Sequence, residues 1–167
     1  MNFIEKNWRW FVLGVTCGAV GMFLVPRPSL KANTASQSKN FAMCTVPSQQ
    51  GAPDAVFVLD FATGRLIGGC YHPSAERFTQ SYYRNLAKDF NVAEDAQYVL
   101  IAGDYSSYAA TTGGGGGTPA TGCIYVGESI SGMVHMYGFK YSNNQKPVED
   151  QMLTPLGSFP WRKPLKK

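Results

Sequence analysis

The sequence predicts an α+β protein: an N-terminal transmembrane helix followed by a small, mainly antiparallel β domain of about five to seven strands with one short helix. Three observations predict it. Residues 10–25 form an apolar run without a charge. Residues 55–67 are echoed 68 positions later by residues 123–135, each copy reading apolar run, acid, small hydroxyl, glycine, apolar run. Between the copies, one short stretch has helical spacing. At 167 residues the chain suits one modest domain with an anchor, not two cores of ordinary size.

The order along the chain is a short tail (1–9), the anchor (10–25), a tether (26–40), the β-rich domain (41–160) and a basic tail (161–167). As a helix the anchor rises roughly 24 Å, the short end of what spans a bilayer. Trp8 and Trp10 supply an interfacial belt on one side, and Pro26 and Pro28 stop the helix on the other. The rival reading is a cleaved signal peptide. The length of the apolar run, the prolines that follow it and the lack of a small-x-small cleavage site favour a retained single-pass anchor. Lys6 and Arg9 before the span compete with Arg27, Lys31 and Lys39 after it, so the charge count leaves orientation open. The tiny N-terminal tail makes the non-cytoplasmic side the simpler place for the domain. Gly14, Gly18 and Gly21 lie at the spacing that lets two helix backbones approach, although glycine is common in membrane helices in any case.

Net charge is +4, most of it around the anchor; from residue 32 onward eleven basic residues face ten acidic ones. A near-neutral domain excludes the clustered basic surface that a nucleic-acid partner requires. Residues 29–40 are polar, lack aromatics and read as flexible.

In the first hairpin, Asp60 is placed to cap the turn amides, and Gly64 supplies the positive φ that closes a four-residue loop. Glu128, Ser131 and Gly132 hold the same places in the second. The strands are apolar with little alternation, residues 55–59 above all, which implies burial on both faces or cover from another subunit. Residues 77–81 alternate as a strand. Tyr82, Leu86 and Phe90 lie four apart, predicting an amphipathic helix over 82–90. Residues 97–104 read as a buried strand. A long loop over 106–122 holds Gly113, Gly114, Gly115, Gly116 and Gly117, a run with no single inexpensive conformation. With Tyr105 and Tyr108 beside it, that loop is the candidate partner-binding surface, against the plainer reading of a solvated connector. From residue 142 the chain is turn-rich, with an edge strand within 152–159.

The first hairpin, with Asp60, Thr63, Gly64 and Arg65 between apolar strands, resembles the blade hairpins of β-propellers, the quinoprotein type especially. Two copies are too few to close a propeller, and the resemblance implies no cofactor. The wider layout of span, tether, hairpin, short helix and glycine loop is similar to a group of small single-span membrane proteins of planctomycete type. That resemblance implies an anchor and a domain, without an activity.

Cys44, Cys70 and Cys123 fall in the domain, and Cys17 in the span. In an oxidising compartment Cys70 and Cys123 are the preferred disulfide pair, with Cys44 to either as the alternative; three small buried hydrophobes is the other reading. Cys70, His72, Cys123 and His135 have ligand chemistry but not the Cys-x-x-Cys spacing that pre-forms a metal site, so no metal is expected. Residues 127–132 have one residue too many for a nucleophile elbow, leaving Ser129 and Ser131 as turn residues. The glycine run lacks the Lys-Ser/Thr ending of a phosphate loop. No catalytic residue and no cofactor are therefore assigned. The expected role is a membrane-anchored interaction or assembly module with a protein partner or further copies of itself. The alternative is a redox or thiol-dependent envelope enzyme using Cys44, Cys70, Cys123 and His72.

Overall fold

The computed structural model describes residues 35–92, 96–105 and 117–162. Strands dominate them because β-branched and aromatic residues recur at every second position, which fits a surface buried on one side. The strands are β1 (Ala35–Gln37), β2 (Phe41–Val46), β3 (Ala55–Asp60), β4 (Arg65–His72), β5 (Arg77–Asn85), β6 (Tyr98–Asp104), β7 (Thr118–Pro119), β8 (Gly122–Glu128), β9 (Met133–Gly138), β10 (Lys140–Tyr141), β11 (Val148–Met152) and β12 (Thr154–Pro160), with one helix, α1 (Leu86–Phe90). A six-stranded sheet runs β1-β2-β3-β4-β5-β11 and a four-stranded sheet β12-β9-β8-β6, with β7 and β10 paired separately. Every ladder is antiparallel except β11 beside β5. The mainly antiparallel β domain with one short helix is thus present, with more and shorter strands than the five to seven expected.

Both sheets contribute to one core. Ala42, Cys44, Val46, Ala55, Phe57, Leu59 and Leu66 face it from the larger sheet, and Leu100, Ile124, Val126 and Tyr137 from the smaller. At its centre the rings of Phe57, Tyr82 and Phe139 meet with centroids 5.1–5.8 Å apart. A side chain at Gly68 would run into the Phe57 ring, so glycine is what lets that ring lie against β4. The Gln80 side chain clamps Ser142, donating to its carbonyl at 2.6 Å and accepting from its N–H at 3.1 Å.

The two hairpins fold as the repeat predicts. In the first, the Asp60 carboxylate accepts from the Ala62 amide (3.0 Å) and the Thr63 hydroxyl (2.7 Å), and the Gly64 amide donates to the Asp60 carbonyl. In the second, Glu128 accepts from the Ile130 (2.8 Å) and Ser131 (2.6 Å) amides, and Gly132 closes onto the Glu128 carbonyl. Gly64 and Gly132 have φ of 61° and 64°, the left-handed region both turns demand. Each turn also receives a donor from elsewhere: Leu86 N–H reaches the Gly64 carbonyl and Trp161 N–H the Gly132 carbonyl.

Three expectations are corrected. The tether does not extend to residue 40, because Ala35–Gln37 pairs with β2 as β1. Residues 82–85 continue β5, and the helix is confined to Leu86–Phe90, started by the Asn85 side chain accepting from Lys88 N–H at 3.2 Å. A four-residue interval is also an even one, so Tyr82 stays on the inner face of a strand as readily as on one side of a helix. The strands at 55–59 and 97–104 are buried on one face only: Val58, Val99 and Ile101 are exposed. The edge strand expected within 152–159 is present as β12, at the edge of the four-stranded sheet, and a further strand, β11, precedes it and joins the other sheet on the far side of buried Leu153. The expected span at 10–25, with Gly14, Gly18 and Gly21, lies outside the described residues. Among the described residues no helix is long and apolar enough to cross a membrane.

Candidate interaction surface

The register of the larger sheet aligns its outward residues into rows. Met43 on β2 sits opposite Val58 on β3, Val58 opposite Ile67 on β4, Ile67 opposite Tyr83 on β5, and Tyr83 opposite Met152 on β11. All five are exposed, Ile67 at 54% and Met152 at 58%. An apolar stripe therefore crosses five strands on the face turned away from the core. Phe41, Tyr71 and Phe78 extend it, the last two in an edge-to-face pair at 5.7 Å. Such a continuous exposed apolar patch marks an interaction site more often than an ordinary surface. Beside it, Asp60 stands opposite Arg65 in one neighbouring row, and in the other the Asp150 N–H donates to the Ser81 hydroxyl at 3.0 Å. The Asp60 carboxyl is held below its ordinary value by the Thr63 hydroxyl and the Ala62 amide.

The smaller sheet is also apolar outward. Val99, Ile101, Tyr125, Val134 and Trp161 line a depression of about 320 Å³. Its floor is low because Gly127 lies there among larger neighbours.

The thiols stand elsewhere. Cys44, Cys70 and Cys123 are free and buried, so the expected bond between Cys70 and Cys123 is not formed. Cys70 lies on the larger sheet and Cys123 on the smaller, each with its thiol packed among other groups. Burial pushes the Cys44 thiol up to about 12 and raises those of Cys70 and Cys123, despite the Ser48 and Tyr125 hydroxyls beside the latter two. A nucleophilic or redox thiol needs the opposite shift. His72 is buried two residues from Cys70, and its Nδ1 has no hydrogen-bond partner. Among the described residues no three His, Cys, Asp or Glu side chains come together as a metal site.

One polar cluster was not foreseen. Asp89 of α1 receives two hydrogen bonds from the Arg84 guanidinium, at 2.7 and 2.8 Å, and one from the Tyr137 hydroxyl at 2.7 Å. Since that hydroxyl gives its hydrogen to Asp89, its oxygen accepts from His135 Nδ1–H at 3.2 Å. Burial raises the Asp89 carboxyl, but Arg84 and Tyr137 outweigh it and hold the group below its ordinary value. Burial lowers His135. Burial and the Asp89 carboxylate raise Tyr137 well above its ordinary range. Held by these hydrogen bonds, the cluster reads as a strut between α1 and β9. Nothing in the sequence placed Asp89 beside Tyr137, because 48 positions separate them.

Of the partner-binding residues expected from the sequence, Tyr105 and Gly117 are described, and Tyr108 with Gly113, Gly114, Gly115 and Gly116 lies outside. Tyr105 lines a small cleft with Phe139 and Leu156, and its N–H donates to the Thr121 carbonyl at 2.6 Å. The stripe residues went unassigned, yet they left a signal: Val56 and Val58 are as apolar as Phe57 and Leu59 between them. No protein-family model, curated protein or solved structure matches this chain.

Proposed function

We propose that this protein is a non-catalytic interaction or assembly module, held at a membrane by residues 10–25 with its β domain on the non-cytoplasmic side. The observation that carries the reading is the apolar row Met43, Val58, Ile67, Tyr83 and Met152, uncovered on a sheet whose other face already completes a core. A monomer that worked alone in water gains nothing from that row and bears its aggregation risk. The raised thiols weigh against the enzyme alternative.

The test is a mild-detergent pull-down of the tagged full chain beside its Ile67→Lys variant. Ile67 is exposed, so the variant retains the fold and loses whatever docks on the stripe. An identical set of retained proteins, with unchanged size of the purified particle, would end the proposal. Alkylation of Lys-to-Cys markers in sealed vesicles reports the side on which the domain lies.

A further inference from the structure

We infer that the occupant of the stripe is a second copy of this chain, packed face to face about a two-fold axis running along the strands between β3 and β4. This rests on the interaction reading above and names its partner. The six-stranded order β1-β2-β3-β4-β5-β11 has its midline between β3 and β4. A two-fold axis there exchanges β3 with β4, β2 with β5 and β1 with β11, so an isologous interface is generated by one patch meeting itself.

Across the four middle strands the residues that this operation brings together suit one another, while at the edges Met152 meets Ser36. Val58 meets Ile67 of the second copy, and Met43 meets Tyr83, a flexible side chain against a broad ring. In the next row Asp60 meets Arg65, and by symmetry Arg65 meets Asp60, giving two reciprocal charge pairs beside the axis at the turn end of the sheet. On the other side Val56 meets Gly69, whose outward space is occupied by the Phe78 ring, so the contact there is Val56 against an aromatic edge. A partner of strong net charge of either sign would find Asp60 or Arg65 opposed, whereas a second copy satisfies both. The eight exposed apolar residues of this face offer on the order of 800 Å², about what each partner contributes to a standard interface. Sheets stacked this way keep their strands aligned to within the angle that sheet twist sets.

The experiment uses the full chain in mild detergent with Cys17→Ser, two differently tagged copies being co-expressed. One carries Val58→Cys and the other Ile67→Cys; the native domain thiols are buried and contribute little background. A bismaleimide long enough to bridge about 10 Å between facing sheets joins the two tags. Arg65→Glu in both copies, which keeps the Asp60 turn intact, sets four carboxylates together and lowers the cross-linked fraction at least tenfold at low salt, less so at high salt. A matched pair carrying Ile101→Cys, on the other sheet, stays unlinked. Cross-linking through Ile101 alone, or an Arg65→Glu chain that links as well as its parent, overturns the inference. If the tags never join but Ile67→Lys still strips a different protein from the pull-down, the second copy is the wrong partner and the interaction reading survives. If Ile67→Lys changes neither result, both fall.

Discussion

Replacing Asp89 by alanine is expected to lower stability by about 3 kcal/mol, through the cation it leaves behind. Arg84 is 18% exposed and Asp89 16%, so neither charge is freely solvated. Breaking a buried pair from one side costs roughly 3–5 kcal/mol. Residual exposure, and the bond that Arg84 keeps to the Leu153 carbonyl at 3.2 Å, place this case at the lower end. For a domain of this size the loss corresponds to a fall in Tm of about 10 °C. Tyr137→Phe is the companion variant. It removes two hydrogen bonds, the one given to Asp89 and the one taken from His135, while Asp89 retains both from Arg84, and it costs about 1–2 kcal/mol. Thermal unfolding followed by near-ultraviolet circular dichroism measures both. The pH dependence has a definite sign. Asp89 titrates below its ordinary 3.8 in the folded chain, so on acidification the unfolded chain takes up the proton first. The contribution is complete above that ordinary value and disappears as pH falls through the folded one, where parent and Asp89→Ala converge. A Tm lowered by less than about 2 °C at neutral pH would show that water already screens the pair, and the strut would carry no weight.

Folded protein at pH 8 is expected to leave Cys44, Cys70 and Cys123 unreactive toward an aromatic disulfide reagent, all three appearing on unfolding; rapid reaction of any one in the native state contradicts the burial described. His135 titrates below its ordinary 6.5, so the folded chain resists protonation that the unfolded chain accepts. Its contribution is complete above 6.5 and is lost as pH falls through the folded value, and urea midpoints across that window should slope more for the parent than for His135→Gln. Gly64→Ala and Gly132→Ala each force a side chain into left-handed backbone at about 1–2 kcal/mol. Each new Cβ also crowds a neighbour, at 2.9 Å from the Tyr98 hydroxyl oxygen for Gly64 and 2.8 Å from the Arg162 Cβ for Gly132, so both urea midpoints fall; an unchanged midpoint in either variant would refute the demand of that turn for glycine.

What was legible in the sequence was local. Asp60 with Gly64, and Glu128 with Gly132, carry their turns in their own chemistry, and both hairpins form where that chemistry places them. The strand at 77–81 was legible, but not its facing, since a bulge turns Phe78 outward and leaves Thr79 and Gln80 both buried. The boundary of α1 was not, because Tyr82, Leu86 and Phe90 are inward under either geometry and the Asn85 cap decides between them. β1 was missed because a three-residue edge strand of alanine, serine and glutamine has no apolar face to show. The stripe half-announced itself: unalternating apolar strands were read as burial on both sides or cover by another subunit, and the core turned out to use only one side. The pairing that aligns Met43 with Met152 across five strands is set by register, which only the assembled sheet reveals.

Leu153 divides the last two strands between the sheets, and this gives the chain a timetable. The hairpins formed by β3 with β4 and by β8 with β9 join neighbours in sequence, so they are able to pair as soon as each emerges from the ribosome. β11 and β12 emerge later, and within a few residues of each other supply the outermost partner of both sheets. A nascent chain halted before residue 148 therefore displays β5 and β9 with unpaired backbone, open to other nascent chains on the same message. One short stretch at the end of the chain thus covers the open backbone of both sheets.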